Sequence, residues 1–320
     1  MTAAVHLTDA VTVTLNPAID LTVTVDRFTL GRVQRARALQ SCVGGKGVNV
    51  AGCLADWGLK VDATGILGRA NDRVFVDFFA EKGIADRFIR TSGETRTNFK
   101  IADTVSGDVT EVNLPGLEVS QSTFETMRAT LRRAVVPGRP IVLAGSLAEG
   151  LPVTTWVDLI ADITERGGRV VLDTSGSALA ATLGGPHVPH VIKPNRVELE
   201  GVVGRPLPET ADVIAVARHL VKRGVGLVVV SRGSKGAVLV DKDQAIEVVL
   251  PAKTVLSNVG TGDAMVAGLV AGMIEGAPLE RLARLAVAFA SAKLDQIGPH
   301  IGTVAEVEAL AAAAKVTIPG

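Results

Sequence analysis

From residue 120 onward the chain repeats one pattern: a short run of apolar, often branched residues, a turn, then a segment whose apolar residues recur at helical spacing. The runs Ile141 to Ala144, Val170 to Asp173, His190 to Lys193 and Leu227 to Ser231 read as strands, with helices over Ser122 to Val135, Thr154 to Glu165 and Asp212 to Lys222. Strands so uniformly apolar need cover on both faces, and parallel strands joined by crossover helices supply it. Such crossovers are right-handed almost without exception, so few arrangements remain. The prediction is an α/β fold. A hairpin over Ala237 to Leu250 and helices over Asp263 to Ile274, Leu279 to Leu294 and Val304 to Ala314 complete the chain.

The first third departs from this rhythm. A strand over Val11 to Leu15 ends at the turn signal Asn16-Pro17, and a polar, irregular stretch runs on to Cys42. Glycines 44, 45 and 47 precede a short helix that stops near Gly58, followed by a strand over Val61 to Leu67 and a helix over Val74 to Glu81. From Thr95 to Leu114 the segments TNFKIAD and DVTEVNL alternate apolar with polar residues around Ser106-Gly107-Asp108, as a hairpin with one wet face does. With 320 residues, 47% of them hydrophobic, the chain can bury one large core. We therefore expect one domain over residues 1–320, a three-layer α/β/α sandwich interrupted by two lid segments, about 21–43 and 96–114, that pair with each other. A lid belongs beside the carboxyl ends of parallel strands, where ligands bind.

Charge and composition narrow the function. The 33 basic and 33 acidic side chains cancel, so no global field favours nucleic acid or an anionic membrane, and any anion site must be local. Aromatic residues make up 3%, too few for base-stacking platforms. The longest apolar run, Ala264 to Met273, is about half the roughly 20 residues of a membrane-spanning helix. No export leader is recognisable at the N-terminus, and a cytoplasmic location is expected. Cys42 and Cys53 match neither a redox pair nor a zinc site, the histidines form no paired-ligand spacing, and a GxSxG elbow is absent.

The sharpest local signal is Asn258-Val-Gly-Thr-Gly-Asp263 ahead of the run AMVAGLVAGM. Glycines before a helix turn backbone N–H groups toward an anion, and the helix dipole adds positive potential. Asp263, at the helix start, is placed to accept a proton from an attacking hydroxyl, although Asp and glycine at that point also serve as plain capping. In Val43-Gly-Gly-Lys-Gly-Val-Asn49 the glycines permit close approach of a ligand, Lys46 supplies a point charge and Asn49 donates and accepts, a set suited to a polyol or to a structural turn. Asp20, just past the first strand, can hold two hydroxyls or sit in a surface turn. Arg96, Arg32 and Arg35 lie in the lid segments, where closure would bring them onto a phosphate. Ser231-Arg-Gly-Ser-Lys-Gly236 can approach a nucleotide, and in Lys193-Pro-Asn-Arg-Val-Glu198 the pair Asn195 and Glu198 can organise a hydrated Mg²⁺.

In their order along the chain, TLNPAID, VGGKGVNVA, GETRTNFKI, TEVNLPG, AGSL, VLDTSG, VIKPNRVEL, VSRGSKGA and NVGTGDAMVAGLVAGM resemble the PfkB (ribokinase-like) carbohydrate kinases, and within them the branch holding 1-phosphofructokinase and tagatose-6-phosphate kinase. The resemblance implies a three-layer sandwich with a β lid, paired lid to lid as a homodimer. It implies Asp263 as catalytic base, with Gly260, Thr261 and Gly262 as the anion hole. Ser231, Gly233, Gly236, Lys193, Asn195 and Gly262 would line the ATP site, with Glu198 linked to Mg²⁺ through water. Asp20, Gly45, Lys46 and Asn49 would hold the sugar, and Arg96, assisted by Lys46 and by Arg32 or Arg35, the phosphate it carries. The implied reaction is ATP-dependent phosphorylation of fructose 1-phosphate to fructose 1,6-bisphosphate, with tagatose 6-phosphate or fructose 6-phosphate as alternative acceptors. The chain departs from the family pattern at Thr261, at Ala148-Glu149 and at Arg232.

Overall fold

The structure, a computed structural model, describes residues 8–251, 259–296 and 298–319. In chain order its elements begin with β1 (Ala10–Thr14), β2 (Ala18–Val25), β3 (Ala38–Gly44), α1 (Lys46–Asp56), β4 (Val61–Gly68), α2 (Arg73–Lys82), β5 (Ala85–Asp86), β6 (Ile89–Thr91), β7 (Thr97–Asp103) and β8 (Val109–Val112). There follow α3 (Gln121–Ala134), β9 (Pro140–Ala144), α4 (Thr155–Glu165), β10 (Arg169–Asp173), α5 (Gly176–Gly184), β11 (Val191–Ile192), α6 (Arg196–Val203), α7 (Thr210–Lys222) and β12 (Leu227–Ser231). The remainder is β13 (Ala237–Val240), β14 (Ala245–Val249), α8 (Thr261–Ile274), α9 (Leu279–Lys293), α10 (Val304–Ala313) and β15 (Lys315–Thr317).

The main sheet runs β15-β14-β13-β12-β11-β10-β9-β1-β4-β5, with β6 also on β4. From β4 to β12 its pairs are parallel; β13, β14 and β15 add an antiparallel edge. Period-two alternation sorts the strand side chains into two cores. Val228 and Val230 face one, with Trp156, Leu159 and Leu199 from α4 and α6, while Val229 faces the other, with Leu54, Leu269 and Phe289 from α1, α8 and α9. This is the three-layer sandwich expected.

Helix α8 shows why its sequence looked like a membrane run cut short. Every residue from Asp263 to Met273 is buried, because α9 packs along it and α1 lies beside it. A helix enclosed this way is apolar all round.

The lid is a separate sheet of order β3-β2-β7-β8, in which β2 and β7 pair in parallel, so the two lid segments do join. It extends further than expected: the polar stretch before Cys42 contains two strands, the first beginning at Ala18. Asp20 is accordingly a strand residue and not in a turn. Alternation gives the lid two unlike faces. Thr22, Lys100 and Gln40 look toward the main body, whereas Val23, Phe99, Ile101 and Val112 form an apolar outer face.

Helix α6 opens within Lys193 to Glu198 as expected, whereas helix α5, strands β5 and β6 and the final strand were not anticipated. Helix α5 sits in GSALAATLG, which has little polar alternation, and β15 is KVT, three residues and too short for periodicity to carry a signal.

Candidate active site

Parallel strands deliver their carboxyl ends to one edge of the sheet, and the chemistry-bearing residues collect there. Asp173 closes β10, Lys193 follows β11, Ser231 closes β12, and Gly45 with Lys46 opens α1 above the end of β1. Helix α8 points its N-terminus at the same edge, with Gly260 as N-cap and Asp263 in its first turn. Asn258, the first residue of that motif, lies outside the described residues.

A cleft of about 820 Å³ runs along this edge. Gly260, Thr261, Gly262 and Asp263 line it together with Lys46 and Lys193, whose Nζ would stand 3.4 Å from a Cβ on Gly262. Asn195, Glu198, Ser231, Gly233 and Gly236 line it as well. The segments around Asn195 and Ser231 are stitched together, Ser231 N donating to Pro194 O at 3.1 Å. Asn195 caps α6 through a capping box: its Oδ1 accepts from Glu198 N and Glu198 Oε2 accepts from Asn195 N, each at 2.8 Å. Gly236 takes φ +73°, and a Cβ there would stand 1.9 Å from Val248 O, so no other residue fits this corner.

The charges are arranged around a buried carboxylate. Asp173 is 1% exposed and its Oδ1 takes Lys46 Nζ at 3.2 Å and Lys193 Nζ at 3.4 Å. Burial pulls the Lys46 ammonium toward neutrality, but Asp173, Asp263 and Glu198 outweigh it and hold its pKa above the ordinary value. Asp263, 6% exposed, receives a hydrogen bond from Asn49 Nδ2 at 2.7 Å. Burial, with the nearby Asp173 charge, pushes its pKa up to about 6, against the opposing pull of Lys46, Asn49 and Lys193. A carboxylate tuned there is ionised at neutral pH yet basic enough to take a proton.

A second cavity of about 190 Å³ meets the cleft at Gly260 and reaches under the lid. Asp20 and Asn49 line it, with Lys100, Lys293 and Cys42. Asp20 accepts from Lys100 Nζ at 2.7 Å and from Asn98 Nδ2 at 3.1 Å. Gly45, at φ +109° and close against Pro17, makes the corner from which Lys46 and Asn49 enter the site.

Other expected residues lie further out. Arg96 lines neither cavity; its guanidinium donates to the backbone carbonyls of Asn16, Pro17 and Leu114, and burial lowers its pKa. Arg32 and Arg35 are exposed in the loop between β2 and β3.

Three participants were missed by sequence reading. Lys100 was legible, since alternation in TNFKIAD sets it on the face of Asn98 and opposite Phe99. Asp173 was signalled by a charge ending an apolar strand. Lys293 had a weaker signal, the lone charge closing AVAFASAK.

The comparisons agree with this geometry. Residues 13–305 match the model of the pfkB family carbohydrate kinases. The chain is 46% identical over 289 residues to the 1-phosphofructokinase of Xanthomonas campestris pv. campestris, covering 89% of this chain and 91% of that one. It is 43% identical over 301 residues to the 1-phosphofructokinase of Rhodobacter capsulatus, covering 94% and 95%. Its backbone superposes with TM-score 0.88, at 28% identity, on phosphofructokinase-2 from Escherichia coli in complex with fructose-6-phosphate, covering 95% and 98%. The chain belongs to the pfkB family of carbohydrate kinases.

Proposed function

We propose that the chain transfers the γ-phosphoryl of ATP to the 6-hydroxyl of fructose 1-phosphate, yielding fructose 1,6-bisphosphate and ADP. The observation that carries this reading is Asp263, buried at the N-terminus of α8 where a large cleft meets a smaller polar cavity under the lid. The names of the two curated relatives support the choice of acceptor. The whole chain acts as one kinase domain, with the four-stranded sheet as its lid.

In this mechanism ATP lies along Ser231, Gly233, Gly236, Lys193 and Asn195. Its γ-phosphoryl meets the backbone amides at Gly260, Thr261 and Gly262. The sugar occupies the smaller cavity, its hydroxyls held by Asp20 and Asn49, with Gly45 and Lys46 at the corner. Arg96 takes the existing phosphate once it exchanges its carbonyl partners for the stronger anionic one, and Arg32 or Arg35 joins as the lid closes. The 6-hydroxyl oxygen attacks phosphorus, the bond from phosphorus to the β,γ-bridging oxygen breaks, and the hydroxyl proton passes to Asp263. Lys46, Lys193 and the α8 amides stabilise the charge that develops on the phosphoryl oxygens.

The residues present fit a hydrated Mg²⁺. Asp173 Oδ2 is buried without a hydrogen-bond partner among the described residues, and Glu198 lines the cleft with one oxygen outside the capping box. When bound, such an ion would offset phosphate charge through its waters.

A second copy of this chain covers the apolar outer face of the lid, where Leu39 is 65% and Val112 48% exposed. The proposed reaction is a cytoplasmic one, in keeping with its use of ATP and a sugar phosphate. Among the described residues no helix is long and apolar enough to cross a membrane.

Kinases for fructose 6-phosphate or tagatose 6-phosphate are the competing reading, and the likeness to the fructose-6-phosphate complex favours the former of the two. Coupled ADP-release kinetics with the three ketose phosphates test the proposal. Fructose 1-phosphate is expected to give the highest kcat/KM; a higher value for either of the others overturns it.

A further inference from the structure

Three lysines surround the phosphoryl-transfer site, Lys46 half-buried and Lys193 and Lys293 buried, and they are not equivalent. Lys46 and Lys193 share the Asp173 carboxylate. Lys293, the last residue of α9, is 3% exposed and its ammonium donates to a neutral carbonyl, Gln296 O, at 2.7 Å. Burying an ammonium costs several kcal/mol unless opposite charge compensates it, so a fold that tolerates one here draws compensation from its surroundings.

Those surroundings are the active site. The Lys293 stem runs against the turn that caps α8: a Cβ on Gly260 would stand 3.3 Å from Lys293 Cε, 3.7 Å from Asn49 Nδ2 and 3.9 Å from Asp263 Oδ2. Lys293, Asn49 and Asp263 thus crowd the same side of Gly260, where any side chain would point. The ammonium also lines the cavity under the lid, together with Asp20 and Lys100.

We propose that Lys293 is a positioning residue for phosphoryl transfer, its stem supporting the Gly260 turn and its ammonium standing as a fixed positive charge beside Asp263. This rests on the reading of Asp263 as proton acceptor. Asp263 is faced by Asp173 from β10, by Lys46, Asn49 and Cys53 from α1, and by Lys193 after β11. Lys293 is faced by Cys53 from α1, Cys42 from β3, Lys100 from β7, Asp263 from α8 and His300 beyond α9. Burial lowers the Lys293 pKa from its ordinary value and Lys100 adds to this, while Asp263 pulls the other way and favours the charged form. Removing the positive charge leaves Asp263 harder to ionise.

The test is the pH dependence of kcat/KM in Lys293→Met, Lys293→Gln and Lys293→Arg. For Met and Gln, kcat is expected to fall roughly 10- to 100-fold and the acid limb to move up by ~0.5 unit or more. KM for ATP should stay within about twofold, since the nucleotide end of the cleft is untouched. Arginine should recover most of the rate and restore the limb. Lys293→Gln keeps a donor in place of the ammonium, so the comparison stands if the Met variant does not fold. An acid limb that stays put in both neutral variants, or an Arg variant as slow as they are, overturns the proposal. Loss of the acid limb in the unsubstituted enzyme would instead overturn the role of Asp263 itself.

Discussion

Asn49 and Asp263 are 214 residues apart in sequence, and the Asn49 amide donates to Asp263 Oδ2 at 2.7 Å. The bond fixes the carboxylate in the corner between α1 and α8 and favours its ionised form. Replacing Asn49 by Leu removes that preference. The acid limb of kcat/KM should move to higher pH, with kcat down roughly 10-fold or more, as a pH–rate profile will show.

Asp263→Asn removes the proton acceptor and keeps the shape. Turnover should drop by about 10³-fold or more while fructose 1-phosphate still binds, measured by calorimetry. Stability supplies an independent check. With its pKa raised to about 6, Asp263 binds more proton in the folded chain than in the unfolded one across the window from about 4 to about 6. Its ionisation therefore subtracts stability as pH rises through that window. The Asn variant should gain stability relative to the unsubstituted enzyme over the same range and hold the advantage at pH 7–8 in urea unfolding.

Asp173 is the shared anchor of Lys46 and Lys193, with side-chain exposure of 0%. Asp173→Ala strands the buried Lys193 ammonium and leaves the half-exposed Lys46 to Asp263 and Glu198. A loss of about 3 kcal/mol or more in unfolding free energy is expected, because breaking one side of a buried pair strands the other. Activity should fall with it, and the midpoint of a urea titration reads the stability change directly.

Arg232 is 10% exposed and ties down the turn between β12 and β13: Nη1 donates to Thr210 Oγ1 at 2.7 Å, and Nη2 to Glu247 Oε2 at 2.7 Å and Lys235 O at 3.2 Å. Arg232→Met frees the turn between β12 and β13. KM for ATP should rise about 10-fold with a smaller change in kcat if, as proposed, the loop binds the nucleotide and not the attacking hydroxyl.

The lid's outer face predicts its own occupant. Phe99→Lys sets a charge at the middle of the apolar face and should convert a dimer to monomer in sedimentation, with lower activity if lid closure depends on the partner. A monomer in the unsubstituted protein would dismiss the pairing.

Much of this architecture was legible. The strands from β9 to β12 and helices α3, α4 and α7 follow from apolar periodicity, and the glycine corners before α1 and α8 follow from turn chemistry. Strand β2 was passed over although DLTVTV alternates as cleanly as TNFKIAD, whereas β3, ALQSCVG, alternates only in part and offers little signal. Arg96 was read as free to meet a phosphate, whereas folding gives it three carbonyl partners; no local pattern announces bonds to Asn16 or Leu114.

The linear order of residues settled the layer architecture, the glycine turns and the place of Asp263 at a helix start, since each depends on spacings of two to four residues. The order of strands in the sheet settled everything that needs two distant segments at once: Lys46 and Lys193 on one carboxylate, Asn49 on Asp263, Lys293 beneath Gly260. Parallel crossovers carry the chain from one strand to the next over tens of residues, and which ends become neighbours follows from how the two cores pack, a property of the whole chain and of no single stretch of it.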